Sequence, residues 1–296
     1  MQNSHSHETC RIGLGSSTFG REIDRTAAFA VLDHAMAHGI TFLDTAALYS
    51  AGESERIIGA WLAERRPAPG EVFLATKIYP PFTEAAMTAA FEGSLQRLGV
   101  DSIDLLYLHK WDDSAAKAEA VQTLDSFIRN GRTRAIGASN FTAEQFAATW
   151  RLQESLAVAR FGFLQNNHSL AVRGVDAAVR AFCAQHAISI VTYSPLGAGF
   201  LTGKHRRGFE SGSRFDVSPG HRDIYFQDAC WHRLDVLEKT AARTGISQVK
   251  LALAWVFHQQ GIDRVLIGCR RPGHIEQALA AVAFNDPALF VELESA

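Results

Sequence analysis

The chain has 296 residues and a formal net charge of -2 at pH 7, with 47% hydrophobic and 20% charged residues. This near-neutral balance gives no reason to expect a nucleic acid or an anionic membrane as a partner. No apolar run approaches the roughly 18 residues of a membrane-spanning helix, and the first ten residues lack the apolar core of a signal peptide. A cytoplasmic protein with a large core is therefore expected.

The four cysteines lie far apart, with no close pair of the kind that binds zinc or forms a redox switch. They are Cys10, Cys183, Cys230 and Cys269. We expect them to be reduced and mostly buried. His5 and His7 lie in a polar segment, residues 1–9, that is expected to be a flexible tail. One domain over residues 10–296, with no bound metal, is expected.

Apolar runs typical of buried strands alternate with segments of helical periodicity. The first strand is expected near Gly13, in a glycine-rich stretch that lets a backbone approach a ligand but lacks a dinucleotide-binding fingerprint. The later strands are expected at 40–44, 72–77, 103–109, 133–138, 161–166, 188–193 and 264–267. The helices are expected at 26–38, 54–65, 83–98, 115–130, 143–156 and 175–186, with a last helix from His274. A Gly- and Arg-rich segment, 197–223, interrupts this alternation and is followed by two helical stretches.

About eight strand-helix units predict parallel strands with helical crossovers. This number and the chain length fit a single-domain (β/α)8 barrel, with its site at the carboxyl ends of the strands. An open doubly wound sheet is the competing architecture, and the missing fingerprint counts against it.

Polar residues end several of the predicted strands. Asp44 and Tyr49 follow the second strand, Lys77 the third and His109 the fourth. Each has an ordinary structural explanation, such as a helix cap, a solvated strand end or a core histidine. Because the strand ends of a barrel meet at one rim, the coincidence of all four indicates an active site.

These four side chains could form an acid-base device for a carbonyl or alcohol oxygen. The pKa of tyrosine is near 10 in water, and a neighbouring lysine ammonium lowers it. Asp44 would keep Lys77 charged, and His109 could orient the substrate oxygen. No metal constellation or reactive thiol is apparent, so an organic hydride carrier is implied. Side chains suited to a nicotinamide follow later strands: Ser139, Asn140 and Gln165 for its amide, and Tyr193 for stacking on its ring.

The chain resembles the aldo-keto reductase family over nearly its whole length. The matching segments are FLDTAALYSAGESERIIG, ATK, DLLYLH, GASNF, LQNNHSL, TYSPLGAGFLTGK and IGCRRPGHIEQAL. The resemblance implies a (β/α)8 barrel that binds extended NADP(H) without a Rossmann fold. It makes Tyr49 the general acid/base, Lys77 and Asp44 its pKa-tuning pair, and His109 the substrate-orienting residue.

The resemblance also assigns residues along the cofactor. Ser139, Asn140 and Gln165 would hold the nicotinamide amide, with Tyr193 stacked on the ring. Ser194, Leu196, Gly199 and Lys204 would lie along the pyrophosphate. Gly268, Arg270, His274 and Gln277 would lie around the adenosine. Arg270, with Arg271, would suit a 2′-phosphate. Relatives often have a Glu-Asn pair where this chain has Gln277 and Ala278, so NAD(H) stays open as the alternative.

The substrate is expected to be a small-molecule carbonyl or alcohol compound, and the oligomeric state stays open. Rim residues expected to contact the substrate are Thr18, Phe19, Phe82 and Trp111, although packing beneath loops is an equal alternative. His168 stands where relatives often carry an aromatic residue, and it would either face substrate or be a buried structural histidine. Two other functions remain: a dehydrogenase oxidising a sugar or cyclic alcohol with NAD⁺, and a cofactor-binding regulatory subunit with little turnover.

Overall fold

The computed structural model describes residues 11–209 and 211–295. Eight parallel strands form a closed barrel in chain order, and the last strand pairs with the first. This confirms the predicted (β/α)8 architecture. The strands are β1 (Ile12–Gly15), β2 (Phe42–Asp44), β3 (Phe73–Ile78), β4 (Ile103–Leu108), β5 (Thr133–Ser139), β6 (Phe163–Asn167), β7 (Ser189–Tyr193) and β8 (Arg264–Gly268).

Helices surround the barrel on its outer face. They are α1 (Arg25–Ala37), α2 (Glu53–Arg65), α3 (Glu84–Leu98), α4 (Ala118–Arg129), α5 (Ala143–Ser155), α6 (Ala177–Gln185), α7 (Arg214–Val217), α8 (Gly220–Tyr225), α9 (Asp228–Thr244), α10 (Gln248–Phe257), α11 (Gly273–Val282) and α12 (Pro287–Glu294). Among the described residues, no helix combines the length and apolar character that crossing a membrane requires.

Several helices begin directly after a side chain that caps their first turn. The carboxylate of Asp24 accepts a hydrogen bond from the N–H of Ala27 at 2.9 Å, at the start of α1. Thr142 and Gln145 form a reciprocal capping box on α5. The predicted start of α3 at residue 83 falls on its cap, because Thr83 is extended and lies just outside the helix.

Two apolar layers enclose the strands. The barrel interior is filled by side chains that point inward, so it is a packed core rather than a channel. The inward-pointing side chains are those of Phe42, Ala75, Leu105, Tyr107, Val191 and Leu266. A larger cluster fills the space between strands and helices. Both faces of the strands are therefore packed against apolar side chains.

The structure adds detail to the sequence prediction in two places. The segment 197–223 contains a 3-10 segment, Gly197–Thr202, and the short helices α7 and α8. The terminal helix α12 was not predicted. The predicted tail and Cys10 lie outside the described residues, whereas Cys183, Cys230 and Cys269 are free and buried as expected.

Gly59 provides a test of how α2 packs on α3. A Cβ at Gly59 would lie 2.6 Å from the carbonyl oxygens of both Arg97 and Leu98. We expect Gly59→Ala to lower the free energy of unfolding by about 1 to 3 kcal/mol, although alanine is favoured over glycine in a helix by ~1 kcal/mol. Urea denaturation followed by circular dichroism would measure this.

Gly93→Ala is the matched control on α3. Its nearest contact is the guanidinium end of Arg97 at 3.0 Å, which can shift. We expect this variant to be as stable as the parent or more stable. Equal effects of the two substitutions would contradict the backbone clash at Gly59.

Candidate active site

The four residues predicted to form the acid-base device meet at the carboxyl rim of the barrel. Asp44 ends β2, Lys77 lies near the end of β3, and His109 follows β4. The Tyr49 hydroxyl is 3.4 Å from Lys77 Nζ. The rings of Tyr49 and His109 meet edge to face, with centroids 5.8 Å apart. Residues scattered along the chain therefore converge on one point.

An unusual backbone turn sets the position of Tyr49. The residues after it, Ser50 and Ala51, have left-handed φ values of 50° and 52°. Such conformations cost non-glycine residues on the order of 1–3 kcal/mol each and persist only where the surroundings hold them. The Ser50 hydroxyl donates to the carbonyl of Phe19 at 2.9 Å and anchors this turn.

Lys77 forms the centre of the arrangement. It is buried, and its ammonium forms an ion pair with the equally buried Asp44. It also donates to the Thr45 carbonyl at 2.8 Å and to the Tyr49 hydroxyl. The second carboxylate oxygen of Asp44 accepts from Gln165 Nε2 at 2.8 Å. These bonds use all three protons of the ammonium.

Burial and charge act on the pKa values of this group in opposite directions. Burial raises the pKa of Tyr49, and Lys77 opposes that rise. Burial alone would lower the pKa of Lys77, but Asp44 and Tyr49 together raise it above its ordinary value. The predicted effect of Lys77 on the tyrosine is therefore present, but in this structure burial outweighs it. Tyr49 is a protonated phenol beside a charged ammonium.

His109 is a neutral imidazole. Burial, with the positive charges of Lys77 and Lys110, lowers its pKa to about 3. Its Nδ1 is buried and has no hydrogen-bond partner among the described residues. Its ring also contacts that of Tyr79 edge to face, with centroids 5.9 Å apart. A neutral ring held in this way can donate one hydrogen bond without adding a charge.

A cavity of about 800 Å³ opens at this rim. All twelve predicted cofactor residues line it: Ser139, Asn140, Gln165, Tyr193, Ser194, Leu196, Gly199, Lys204, Gly268, Arg270, His274 and Gln277. Asp44, Tyr49 and His109 also line it, while Lys77 lies behind them. The cavity thus joins the acid-base residues to the predicted cofactor residues.

The polar groups at the inner end of the cavity are bonded to one another. Asn140 Nδ2 donates to the His109 carbonyl at 2.9 Å and to Ser139 Oγ at 3.1 Å. The Tyr193 hydroxyl donates to Asn140 Oδ1 at 2.5 Å. Gln165, predicted to hold a nicotinamide amide, contacts Asp44 instead. These bonds fix the side chains that a ligand amide would meet.

The outer end of the cavity is positively charged. Lys204 follows the 3-10 segment, in which Gly199 has a φ of 93° that favours glycine. The loop between β8 and α11 supplies Arg270 and Arg271. Arg270 N–H donates to His274 Nδ1 at 3.3 Å and so links this loop to the first turn of α11.

Several residues that line the cavity were not predicted from the sequence. Among them are Ser17 and Glu22 after β1, Arg214 and His221 in the inserted segment, and Val249 and Leu253 on α10. The carboxylate of Glu22 is 3.5 Å from Arg214 and 3.9 Å from Arg270. The rim position of the β1 loop could have indicated Glu22. No local pattern marks Arg214, because its place depends on how the inserted segment folds.

The predicted substrate residues divide into two groups. Thr18 lines the cavity, and its hydroxyl donates to the Cys269 carbonyl at 2.9 Å. Phe19 and Phe82 are fully buried in the core and do not line it, and Trp111 packs edge to face on Phe141 instead. Their loops turn these rings inward, toward apolar neighbours.

His168 is a buried structural histidine. It is buried, stacks on Trp255 at a centroid distance of 5.4 Å, and accepts a hydrogen bond from Val175 N–H at 3.3 Å. It is not among the residues that line the cavity. Of the two interpretations open for His168, the structural one therefore fits.

Comparison with known proteins identifies the family. The model described as the aldo/keto reductase family matches residues 11–289, and the chain belongs to this family. Aldo-keto reductase YhdN of Bacillus subtilis (strain 168) is 32% identical, over 91% of this chain and 84% of that protein. A probable voltage-gated potassium channel subunit beta of Arabidopsis thaliana is 27% identical, over 90% of this chain and 84% of that protein.

A solved structure has the same fold. It is the crystal structure of an aldo/keto reductase from Klebsiella pneumoniae in complex with NADP and acetate. It aligns with a TM-score of 0.74 and 27% sequence identity, covering 96% of this chain and 90% of that chain. The closed barrel and the family assignment therefore agree.

The buried ion pair predicts strongly non-additive stability effects. Asp44→Asn leaves Lys77 charged and unpaired, which we expect to lower the free energy of unfolding by about 3 to 5 kcal/mol. The double variant Asp44→Asn/Lys77→Met removes both charges, so we expect it to be more stable than Asp44→Asn alone. Chemical denaturation of both variants would measure the difference.

Glu64→Gln is the control for this comparison, because Glu64 pairs with Arg25 and Arg65 at the exposed surface. It should change the free energy of unfolding by about 1 kcal/mol or less. A double variant no more stable than Asp44→Asn would argue against the ion pair as the source of the loss.

The neutral state of His109 predicts a pH dependence of stability. Its folded pKa is about 3, below the ordinary value of 6.5, so the unfolded chain binds a proton first as the pH falls. Stability from this residue is present above pH 6.5 and is lost toward pH 3. Between pH 7 and pH 5, we expect the free energy of unfolding of the parent to fall by about 2 kcal/mol more than that of His109→Gln. Denaturation at both pH values would check this, and parallel losses would contradict the pKa.

Proposed function

We propose that the protein is an NADP(H)-dependent oxidoreductase that interconverts an aldehyde or ketone with the corresponding alcohol. The observation that carries the proposal is the Tyr49 hydroxyl 3.4 Å from the buried Lys77 ammonium, at a cavity that also contains the predicted cofactor residues. The chain's membership of the aldo/keto reductase family supports the same reaction class.

The cavity fits a nicotinamide nucleotide in size and in the order of its polar groups. Its volume is about 800 Å³. Hydroxyl and amide groups lie at the end beside Tyr49, and cationic side chains suited to phosphates lie at the other end. When bound there, the cofactor would supply or accept the hydride. The Klebsiella pneumoniae structure, which contains NADP, supports this choice.

In the reduction direction, Tyr49 would donate its hydroxyl proton to the carbonyl oxygen of the substrate. Burial keeps the phenol protonated before the reaction, and Lys77 stabilises the phenolate that remains. Asp44 holds Lys77 in place through their ion pair. His109, a neutral donor, would hydrogen-bond the same substrate oxygen and orient it. In the oxidation direction, the phenolate would accept the proton from the alcohol.

Arg270 and Arg271 favour NADP(H) over NAD(H). A planar guanidinium matches the geometry of a 2′-phosphate. The Arg270 side chain is 43% exposed, and its ion pair with Glu22 is long, at 3.9 Å, so the guanidinium is open to a phosphate. The Gln277 and Ala278 pair keeps an NAD-dependent dehydrogenase as the alternative. Dissociation constants of NADPH and NADH, measured for the parent and for Arg270→Ala, would decide between them.

A regulatory subunit is the second candidate function, and the resemblance to the Arabidopsis thaliana channel subunit favours it. Such a protein would bind NADPH but turn over carbonyl compounds very slowly. The presence of all four acid-base residues in contact geometry supports catalysis instead.

Tyr49→Phe is the direct test of the proposed acid. We expect NADPH oxidation with a panel of aldehydes and ketones to fall by about 10² to 10⁴ relative to the parent. The ring and its contact with His109 are retained, so NADPH affinity measured by fluorescence should be nearly unchanged. Equal turnover by parent and variant would exclude Tyr49 as the proton donor. Tight NADPH binding with negligible turnover by the parent would favour the regulatory subunit.

A further inference from the structure

A cluster of two histidines and one carboxylate joins helices α1 and α11, outside the cavity. His34 Nε2 on α1 lies 2.6 Å from Glu276 Oε1 on α11. His38 Nε2, one helical turn beyond His34, lies 3.5 Å from the same oxygen. One potential metal-ligand atom of each residue lies within 4.8 Å of the other two. No bound metal was expected from the sequence; His34 and His38 are four residues apart, but Glu276 is distant from both along the chain.

A hydrogen bond fixes the proton on one nitrogen of His38. Its Nδ1 lies 2.8 Å from the backbone carbonyl of His34. A carbonyl oxygen only accepts, so Nδ1 carries the proton and donates it. In the neutral ring, Nε2 then presents a lone pair toward the oxygen of Glu276. Two acceptors facing each other need either a proton or a metal ion between them. The backbone bond at Nδ1 is the support that metal-binding histidines commonly have.

We propose that His34, His38 and Glu276 bind one Zn²⁺ ion. Two imidazole nitrogens and a carboxylate oxygen form a three-residue zinc ligand set, with water as the fourth ligand. Tetrahedral ligands at zinc distances lie roughly 3.3 Å apart, so His38 Nε2 and Glu276 Oε1 already have suitable spacing. His34 would have to withdraw slightly, and its side chain is 28% exposed on the helix surface.

Zinc at this position would connect α1 to α11. Glu276 lies next to Gln277, which lines the cavity, and His274 is in the same turn. The ion would therefore hold the first turn of α11 against the first helix of the barrel. The competing arrangement is a proton shared among the three side chains, which would make the cluster an ion pair alone.

Zinc binding by the untagged full-length chain tests the proposal. Equilibrium dialysis against micromolar ZnCl₂, followed by elemental analysis, would count zinc per chain for the parent and for His38→Ala. We expect the parent to bind one more zinc ion than the variant. His5 and His7 are present in both proteins, so any zinc that they bind cancels in the difference.

Thermal denaturation supplies a second measurement. Saturating zinc should raise the Tm of the parent by at least about 2 °C, and a chelator should reverse the rise. His38→Ala and Glu276→Gln should lose this increase. Their zinc affinity should fall by about 10-fold or more, since even residues that only support a ligand contribute that much.

His232→Ala is the matched control, because His232 is an exposed histidine on α9 and is not part of the cluster. It should retain both the additional zinc ion and the rise in Tm. Equal zinc content and equal Tm shifts in the parent and His38→Ala would overturn the proposal. So would a parent that binds no more zinc than Glu276→Gln.

Discussion

The ion pair between Lys77 and Asp44 is the interaction on which the site depends. Two charges are removed from water at the end of adjacent strands, and such burial is costly unless the partners are well bonded. Here the ammonium has three acceptors and the carboxylate has a second donor, Gln165. The parallel register of β2 and β3, in which Asp44 is paired with Ala75, brings the partners together. A slip of one residue would turn Lys77 out of the site.

A second buried acid supports the position of β3. Glu55 on α2 is fully buried and accepts the hydroxyl of Thr76 at 2.5 Å. Its other oxygen accepts from Arg97 Nε on α3 at 2.6 Å. Thr76 precedes Lys77, so two helices fix the strand just before this buried lysine. Glu55 itself does not reach the cavity, and its charge is balanced by Arg97 within the helical layer.

Features set by local sequence were predictable, and features set by distant packing were not. Buried parallel strands have continuous apolar runs, so the barrel follows from their alternation with helices, and polar residues at strand ends locate the rim. The sequence predicted that Phe19 and Phe82 contact the substrate, because both lie in rim loops. A position in a loop does not determine whether an aromatic ring points into the cavity or into the core. The pair of Glu22 with Arg214 depends on the folded shape of the inserted segment. The cluster of His34, His38 and Glu276 arises only when α1 and α11, distant in sequence, become neighbours in the fold.

The electrostatics of the rim favour Tyr49 over His109 as the proton donor. Two ammonium groups, Lys77 and Lys110, surround a half-buried imidazole, and with burial they lower its pKa to about 3. At neutral pH an imidazolium is therefore absent, and a neutral imidazole is a very weak acid. The phenol of Tyr49 also holds its proton, but loss of that proton creates a negative charge beside Lys77. The positive charge of Lys77 thus disfavours a proton on His109 and favours loss of the proton from Tyr49. This difference fits the proposed roles of His109 as the orienting residue and Tyr49 as the acid.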